Sequence, residues 1–208
     1  MSGHSGYPLA VEARHETGAP EPMTLEQWAL LPEDAEGELV DGVLVEEEMA
    51  GYLHAVVVAW LVETLRRWAI ARGGFVGGSD ARFAARRHPA RGRKPDLTVY
   101  LGGRKPPARG LIEIPPDIAV EVVSPSGNDA RRDRVEKLSD YAAFGVRQYW
   151  ILDPQLRTLD VLELGTDGRY IVALAATAGS CAIPTCPDLA IDLDALWAEC
   201  DRLELEPI

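Results

Sequence analysis

Two carboxylates lie in positions where a buried strand could present them for chemistry. Asp96 directly precedes the apolar segment 97–101, and Glu121 interrupts the nearly continuous apolar run 118–123. A carboxylate in such a run is costly to bury unless it is paired or binds a metal ion. Because two neighbouring strands can bring their carboxylates as close as one hard cation requires, Asp96 and Glu121 together predict a site for Mg²⁺ or Mn²⁺.

Each carboxylate taken alone leaves an alternative open. Glu121 could equally well pair with an arginine or cap a neighbouring helix. Pro95-Asp96 is one of three Pro-Asp pairs in the chain, and only this pair is followed directly by a predicted strand. Pro116-Asp117 lies in the lead-in to the Glu121 strand, and Pro187-Asp188 leads toward an acidic C-terminal segment. This context favours Asp96 as the second carboxylate.

Hydrophobic periods and turn residues predict the elements that position these side chains. Thr24 caps a short helix that ends near Pro32, and Asp41-Gly42 joins two strands in a hairpin. Further helices are predicted over 53–71, 129–144 and 190–203. The stretch 75–85 alternates loosely and is followed by an arginine-rich loop. Strands are predicted over 38–40, 43–45, 97–101, 118–123, 148–152, 159–162 and 170–175.

The predicted helix 129–144 follows the Glu121 strand and ends at Gly145. Its helical period predicts an inner side that carries Val135, Leu138, Ala142 and Gly145. Residues four positions apart share a helix face, and this spacing also relates Asp133, Lys137 and Tyr141.

Chain length and composition predict one α/β domain. The 208 residues are 47% apolar, enough to form one sizeable core over 23–208, while 1–22 has no apolar period and reads as a loose tail. The apolar run 55–62 is far shorter than the roughly 20 residues that a membrane span needs. Three cysteines without a C-x-x-C pair or nearby histidines indicate neither a zinc site nor a disulfide framework, so the reducing cytoplasm is the expected compartment.

Charge is segregated along the chain. The net charge of −12 argues against a simple nucleic-acid coat protein, because phosphate binding depends on lysine and arginine. Ten acidic and no basic residues lie within 21–48, whereas 82–109 holds nine lysines or arginines and the single acidic residue Asp96. A basic segment of this kind is more often a solvated loop than a ligand site, but this one brackets the candidate carboxylate.

The sequence resembles the Uma-type restriction endonucleases, a family of the PD-(D/E)XK nuclease superfamily. The resemblance covers roughly 24–193 and rests on these motifs: Glu38-Leu39-Val40-Asp41-Gly42, His54, Lys94-Pro95-Asp96-Leu97, Val120-Glu121-Val122-Val123-Ser124-Pro125-Ser126, Asp133 with Lys137, Tyr141, Gly145-Val146 and Tyr149-Trp150-Ile151-Leu152-Asp153-Pro154. It implies a restriction-endonuclease-like fold, a mixed β-sheet flanked by helices with an N-terminal helix and hairpin. It also implies metal-dependent cleavage of DNA phosphodiester bonds.

In such a site the metal is expected on Asp96, Glu121 and the backbone carbonyl of Val122. The superfamily's lysine normally follows the second carboxylate by two residues, where this chain has Val123. The resemblance implies that Lys137, on the next helix, replaces it. Spacing alone favours a different interpretation, in which Lys137 forms an ordinary surface ion pair with Asp133.

Other matched residues have weaker support. Glu38, at the start of the hairpin, matches the family as a further catalytic carboxylate, although acidic hairpin residues usually face solvent. His54 also matches, but a single histidine at a helix start is more often structural. Tyr149 and Trp150 could stack on bases, yet their strand position favours core packing.

Three function classes remain open at this point. A metal-dependent DNA endonuclease is favoured, working as a homodimer because two identical sites can act on the two strands of a duplex. A nuclease-fold module that binds DNA or protein without catalysis is the alternative, and the acidic net charge favours it slightly. A nucleotide hydrolase ranks last, because the chain has no G-x-x-x-x-G-K-[ST] loop.

Overall fold

The computed structural model describes residues 21–32, 35–46, 51–124 and 132–203, and the side chains of 132 and 133 are not among the described parts. The predicted tail 1–22 lies almost entirely outside these ranges, so the proposed domain boundary stays a prediction. The side chain of Asp133 also lies outside the described parts of the structure.

A six-stranded sheet forms the centre of the fold, with strand order β10-β9-β8-β7-β6-β3. β7 and β8 are parallel, and the other neighbouring strands pair antiparallel. The strands are β3 (Phe75–Gly77), β6 (Leu97–Tyr100), β7 (Ile118–Val122), β8 (Gln148–Asp153), β9 (Thr158–Leu164) and β10 (Tyr170–Ala176). All five residues of β7 are buried, as the apolar run predicts for a central strand.

Helices cover both faces of this sheet. Alternate side chains of a strand point to opposite faces, so Val120 and Val122 enter one core and Ala119 another. The first face carries α2 (Tyr52–Ile70) and α4 (Leu193–Cys200). The second face carries α3 (Leu138–Phe144). Glu121 alternates with Val120 and therefore points to the face that α3 covers.

A smaller sheet of order β2-β1-β5-β4 packs beside α3. It contains β1 (Glu38–Val40), β2 (Val43–Val45), β4 (Phe83–Arg86) and β5 (Arg91–Arg93), and α1 (Leu25–Ala29) lies against it. The predicted hairpin and the Thr24 cap are confirmed: Asp41 and Gly42 both have positive φ, and Thr24 forms a capping box with Gln27. Helix α3 thus lies between the two sheets.

Strand β5 corrects the prediction of a loop over the arginine-rich segment. It contains Arg91, Gly92 and Arg93, which offer no apolar alternation, so a strand could not be read from them. Its arginines are instead paired with carboxylates. Gly92 lies against Trp28, where an added Cβ would come within 2.2 Å of the ring.

The predicted inner side of the third helix is wrong at Val135, whereas Leu138 packs against the core as predicted. Residues Arg132–Lys137 form a π-helical segment before α3, and Val135 in it is 58% exposed. The buried residues on this stretch are Lys137, Asp140 and Tyr141. A π-helical turn bonds i to i+5 and so rotates the following residues away from a 3.6-residue period. The side chains on the buried face bind charged partners on both sheets. A hydrophobic period cannot predict a buried face of this kind.

The C-terminal helix is shorter than predicted. Ala190–Asp192 forms a strand, β12, that pairs with β11 (Ser180–Ala182), and α4 starts only at Leu193. Cys181, Cys186 and Cys200 are free thiols. Among the described residues, no helix is both long and apolar enough to cross a membrane.

Candidate active site

Asp96 and Glu121 lie at the same end of the antiparallel pair β6 and β7. Leu97 pairs with Val120, so one further step in register sets Asp96 opposite Glu121. The Asp96 Oδ2 accepts a 2.7 Å hydrogen bond from the backbone N–H of Val122, which fixes this carboxylate against the end of β7. The strand pairing therefore places the two residues that the sequence singles out opposite each other in register.

The Glu121 carboxylate is bound by two side chains from the helical segment above it. Its Oε2 accepts a 2.9 Å hydrogen bond from the Lys137 amine, and its Oε1 accepts one of 2.5 Å from the Tyr141 hydroxyl. Glu121 is 2% exposed and Lys137 only 3%. Lys137 is thus a buried partner of Glu121, which does not fit the interpretation of a surface ion pair.

Local structure explains why these two side chains reach the same carboxylate. Lys137 is the last residue of the π-helical segment and Tyr141 follows one α-helical turn later, so both project from one side. The Tyr141 ring packs on Tyr149, with ring centroids 5.0 Å apart. Burial, and next the charge of Glu121, raise the pKa of Tyr141 well above its ordinary value, so its hydroxyl stays a donor at neutral pH.

Glu38 lies on the other side of Lys137 and is 1% exposed, unlike the usual solvent-facing residue of a hairpin. Its Oε2 accepts a 2.6 Å hydrogen bond from Arg93, and its Oε1 accepts one of 2.7 Å from the backbone N–H of Lys94. The same Oε1 lies 3.8 Å from the Lys137 amine. Burial acts to raise the pKa of Glu38, but the charges of Lys137 and Arg93 and the Lys94 N–H outweigh it and lower that pKa.

Arg93 connects Glu38 to helix α3. Its guanidinium donates to Asp140 Oδ2 from Nε at 2.9 Å and from Nη2 at 2.6 Å, and all three side chains are buried. Burial works against the charge, but Glu38 and Asp140 together raise the pKa of Arg93 and keep it cationic. Arg91 continues the network from Asp140 to Asp41. We call these five residues the arginine network.

The arginine network was not predicted from the sequence, although a signal for it exists. The acidic segment 21–48 and the basic segment 82–109 are neighbours in the smaller sheet, and their opposite charges pair. Arg82 is engaged differently, through the backbone carbonyls at the end of α1. Most of the basic segment therefore holds the fold together and does not form a free cationic surface.

His54, in the first turn of α2, contacts the other carboxylate of the site. Its Nε2 lies 3.1 Å from Asp96 Oδ2, and the two side chains are 14% and 16% exposed. Asp96 is thus held by a backbone N–H from β7 and a ring nitrogen from α2. The sequence match of His54 corresponds to a direct contact with the candidate site.

The donors fit a divalent ion of the Mg²⁺ type that keeps part of its hydration. Mg²⁺ is usually held by one or two carboxylates, with water and substrate phosphate completing its six positions. Among the described residues, no group of three or more His, Cys, Asp or Glu could hold one metal ion by itself. Two buried cations, Lys137 and Arg93, contact three buried carboxylates here: Glu121, Glu38 and Asp140.

A solved structure with the same architecture is that of "a putative nuclease belonging to DUF820" from Anabaena variabilis. It superposes with a TM-score of 0.67 at 18% sequence identity and covers 86% of this chain and 99% of its own. At this identity the likeness shows the fold alone, and it confirms the predicted mixed sheet flanked by helices. No curated protein matches the chain.

A family profile gives the classification. The profile of Uma2, described as "Putative restriction endonuclease", matches residues 22–194, a range that includes both carboxylates and Lys137. This match confirms the resemblance inferred from the motifs. The chain therefore belongs to the Uma2 family.

Proposed function

We propose that this protein is a divalent-metal-dependent endonuclease that hydrolyses phosphodiester bonds of DNA. The observation that carries the proposal is the placement of Asp96 opposite Glu121 at one end of the β6-β7 pair, with the Lys137 amine bound to Glu121. Two carboxylates can hold a metal ion that activates water and offsets charge on a phosphate, and an amine can stabilise the developing negative charge. Membership of a restriction endonuclease family supports the same reaction class.

The metal would be held by Asp96, Glu121 and the backbone carbonyl of Val122. When bound, Mg²⁺ or Mn²⁺ supplies an activated water and offsets charge that develops on the phosphate. The chain's own residues prepare this site: Val122 N–H and His54 hold Asp96, and Lys137 and Tyr141 hold Glu121. Burial of the Glu121 side excludes bulk water and strengthens each of these interactions.

Lys137 would act on the phosphate or on the nucleophile. Its amine is a charged donor of hydrogen bonds and lies 2.9 Å from Oε2 of Glu121, a proposed metal ligand. A cation at this position stabilises the additional negative charge of the transition state. Glu38, held by Arg93 and Lys94, would position the amine from the side opposite Glu121.

The test is cleavage of supercoiled plasmid and of defined single- and double-stranded oligonucleotides, with Mg²⁺ or Mn²⁺ and with EDTA. Asp96→Asn and Glu121→Gln are expected to abolish cleavage. Asp188→Asn is the matched control, because Asp188 also follows a proline but lies exposed beside Arg72. Cleavage that survives EDTA, or that both site variants retain, would contradict the proposal.

A second candidate function is a nuclease-fold module that binds DNA or protein without cleaving it. The observation in its favour is that carboxylates bind most of the arginines near the site, which leaves few cations for phosphate. Metal titration separates the two: a catalytic site binds Mn²⁺ through Asp96 and Glu121, whereas a decayed site does not.

We further propose a homodimer, in which two copies act on the two strands of a duplex. Sedimentation with and without DNA tests it. A monomer at micromolar concentration that does not associate on DNA would contradict the dimer without affecting the proposed chemistry.

A further inference from the structure

We infer that Tyr141 is a positioning residue that fixes the Glu121 carboxylate in the orientation needed for metal binding. The inference rests on the proposed function and adds to it a residue that does not itself touch metal or substrate. Its basis is the contact between a fully buried hydroxyl and one oxygen of the candidate metal ligand.

The Glu121 carboxylate is fixed at both oxygens. Tyr141 donates to Oε1 and Lys137 donates to Oε2, so the carboxylate cannot rotate about its terminal bond without breaking one of the two contacts. A hydrogen bond of 2.5 Å from a hydroxyl to a carboxylate is of the short, charge-assisted kind. Removing the hydroxyl would loosen one oxygen of a ligand that is almost fully buried.

Tyr141 is itself held rigidly enough to impose an orientation. Its backbone carbonyl accepts hydrogen bonds from the N–H groups of Gly145 and Val146 at the end of α3. Its ring packs on Tyr149, which in turn lies 6.0 Å from the ring of Tyr170. The phenol therefore projects from a capped helix end and rests on a row of aromatic rings.

The direction of this hydroxyl distinguishes Tyr141 from Tyr170 and Tyr100. The hydroxyl of Tyr170 donates to the backbone carbonyl of Val146 at 2.7 Å, and that of Tyr100 donates to the carbonyl of Ile114. Those bonds join segments of the main chain. The Tyr141 bond instead ends on a carboxylate of the candidate site, next to the Lys137 amine.

Tyr141→Phe and Tyr170→Phe form a matched pair for the test. Each removes one hydroxyl and one hydrogen bond from the same row of rings, but only the first touches Glu121. Mn²⁺ affinity is measured by isothermal titration calorimetry, with thermal unfolding of both variants as the measure of folding. Loss of a residue that holds a metal ligand typically weakens metal binding about 10- to 100-fold. We expect this loss in Tyr141→Phe and wild-type affinity in Tyr170→Phe.

Wild-type Mn²⁺ affinity in a folded Tyr141→Phe, or an equal loss in Tyr170→Phe, would overturn the inference. A metal-independent arm uses the double-mutant cycle of Tyr141→Phe with Glu121→Leu, which removes the acceptor, measured in EDTA as shifts of the denaturant midpoint. Residues in direct contact give non-additive shifts, and additive shifts would show that Tyr141 does not hold Glu121. If the wild-type protein bound no Mn²⁺, the proposed function would fail, and the cycle would still decide whether Tyr141 fixes the carboxylate.

Discussion

The Lys137 amine lies 2.9 Å from Glu121 Oε2, although the two residues are 16 positions apart and belong to different elements. Side chains two apart on a strand face the same way, so Val123 stands on the side of β7 that carries Glu121. A helical segment packed over that side therefore brings the Lys137 amine to Glu121 from a different element.

Replacing this lysine should separate chemistry from metal binding. We predict that Lys137→Met lowers turnover by roughly 10²- to 10⁴-fold, the range for a group that transfers or orients a proton, while Mn²⁺ affinity changes little. Lys105→Met is the control, since Lys105 lies in an exposed loop after β6. Val123→Lys in the Lys137→Met background should restore part of the turnover. Undiminished cleavage by Lys137→Met would make the residue structural only.

Glu38 should contribute to stability in a pH-dependent manner. Its pKa in the folded protein is lowered from the ordinary value of 4.5, so its contribution is fully present above that pH and is lost as the pH falls through the folded pKa. We therefore predict that Glu38→Gln is less stable than wild type at pH 7 and that the difference shrinks below about pH 4.5. Urea unfolding at several pH values measures it.

Glu36→Gln serves as the control for this measurement, because Glu36 is exposed two residues earlier on the same segment. Its unfolding free energy should follow the wild-type value at every pH. A constant difference between Glu38→Gln and wild type from pH 7 to pH 3 would contradict the assignment of a lowered pKa.

Arg93 should be among the most sensitive positions of the protein. Arg93→Met would leave two buried carboxylates, Glu38 and Asp140, without their shared cation. Breaking a buried ion pair from one side typically costs about 3–5 kcal/mol, and we predict a decrease of that size in the free energy of unfolding. Arg87→Met, which removes an exposed arginine from Glu26 and Glu113, should cost at most about 1 kcal/mol. Equal losses in the two variants would contradict the role of the arginine network.

Lys94 is the cation best placed to meet a substrate phosphate. It lies two residues before Asp96, it is half-buried, and among the described residues its ammonium has no hydrogen bond or ion pair. We predict that Lys94→Gln weakens DNA binding and reduces the slope of log affinity against log salt by about 1. Lys105→Gln, beyond the opposite end of β6, should leave that slope unchanged. An unchanged slope in Lys94→Gln would exclude a phosphate contact.

The sequence predicts the reacting groups better than the residues that hold them. Asp96 and Glu121 stand out because a carboxylate beside or within an apolar strand needs a compensating partner, and strand pairing then brings them together. Lys137 could be assigned only through the family resemblance, because its spacing from Asp133 equally indicates a surface pair. Its placement depends on a π-helical segment, which has no recognisable sequence period.

The arginine network marks the limit of prediction from local patterns. Arg93 and Asp140 are far apart in sequence, and each belongs to a stretch that reads as polar and solvent-facing. Their burial follows from pairing across two sheets and a helix, which no window of neighbouring residues contains. For the same reason Val135 was predicted to lie inside, whereas the charged face of that segment is the buried one.

The position of helix α3 in the chain links competence for cleavage to completion of folding. It lies in the connection between β7 and β8, the parallel neighbours of the central sheet, and parallel strands cannot pair until such a crossover has closed. Lys137 and Tyr141 therefore reach Glu121 only when this non-local pairing forms, a step that is slow relative to hairpin closure. A nascent or partly unfolded chain would hold Glu121 and the Lys137 amine apart, so the proposed site would exist only in the completely folded protein.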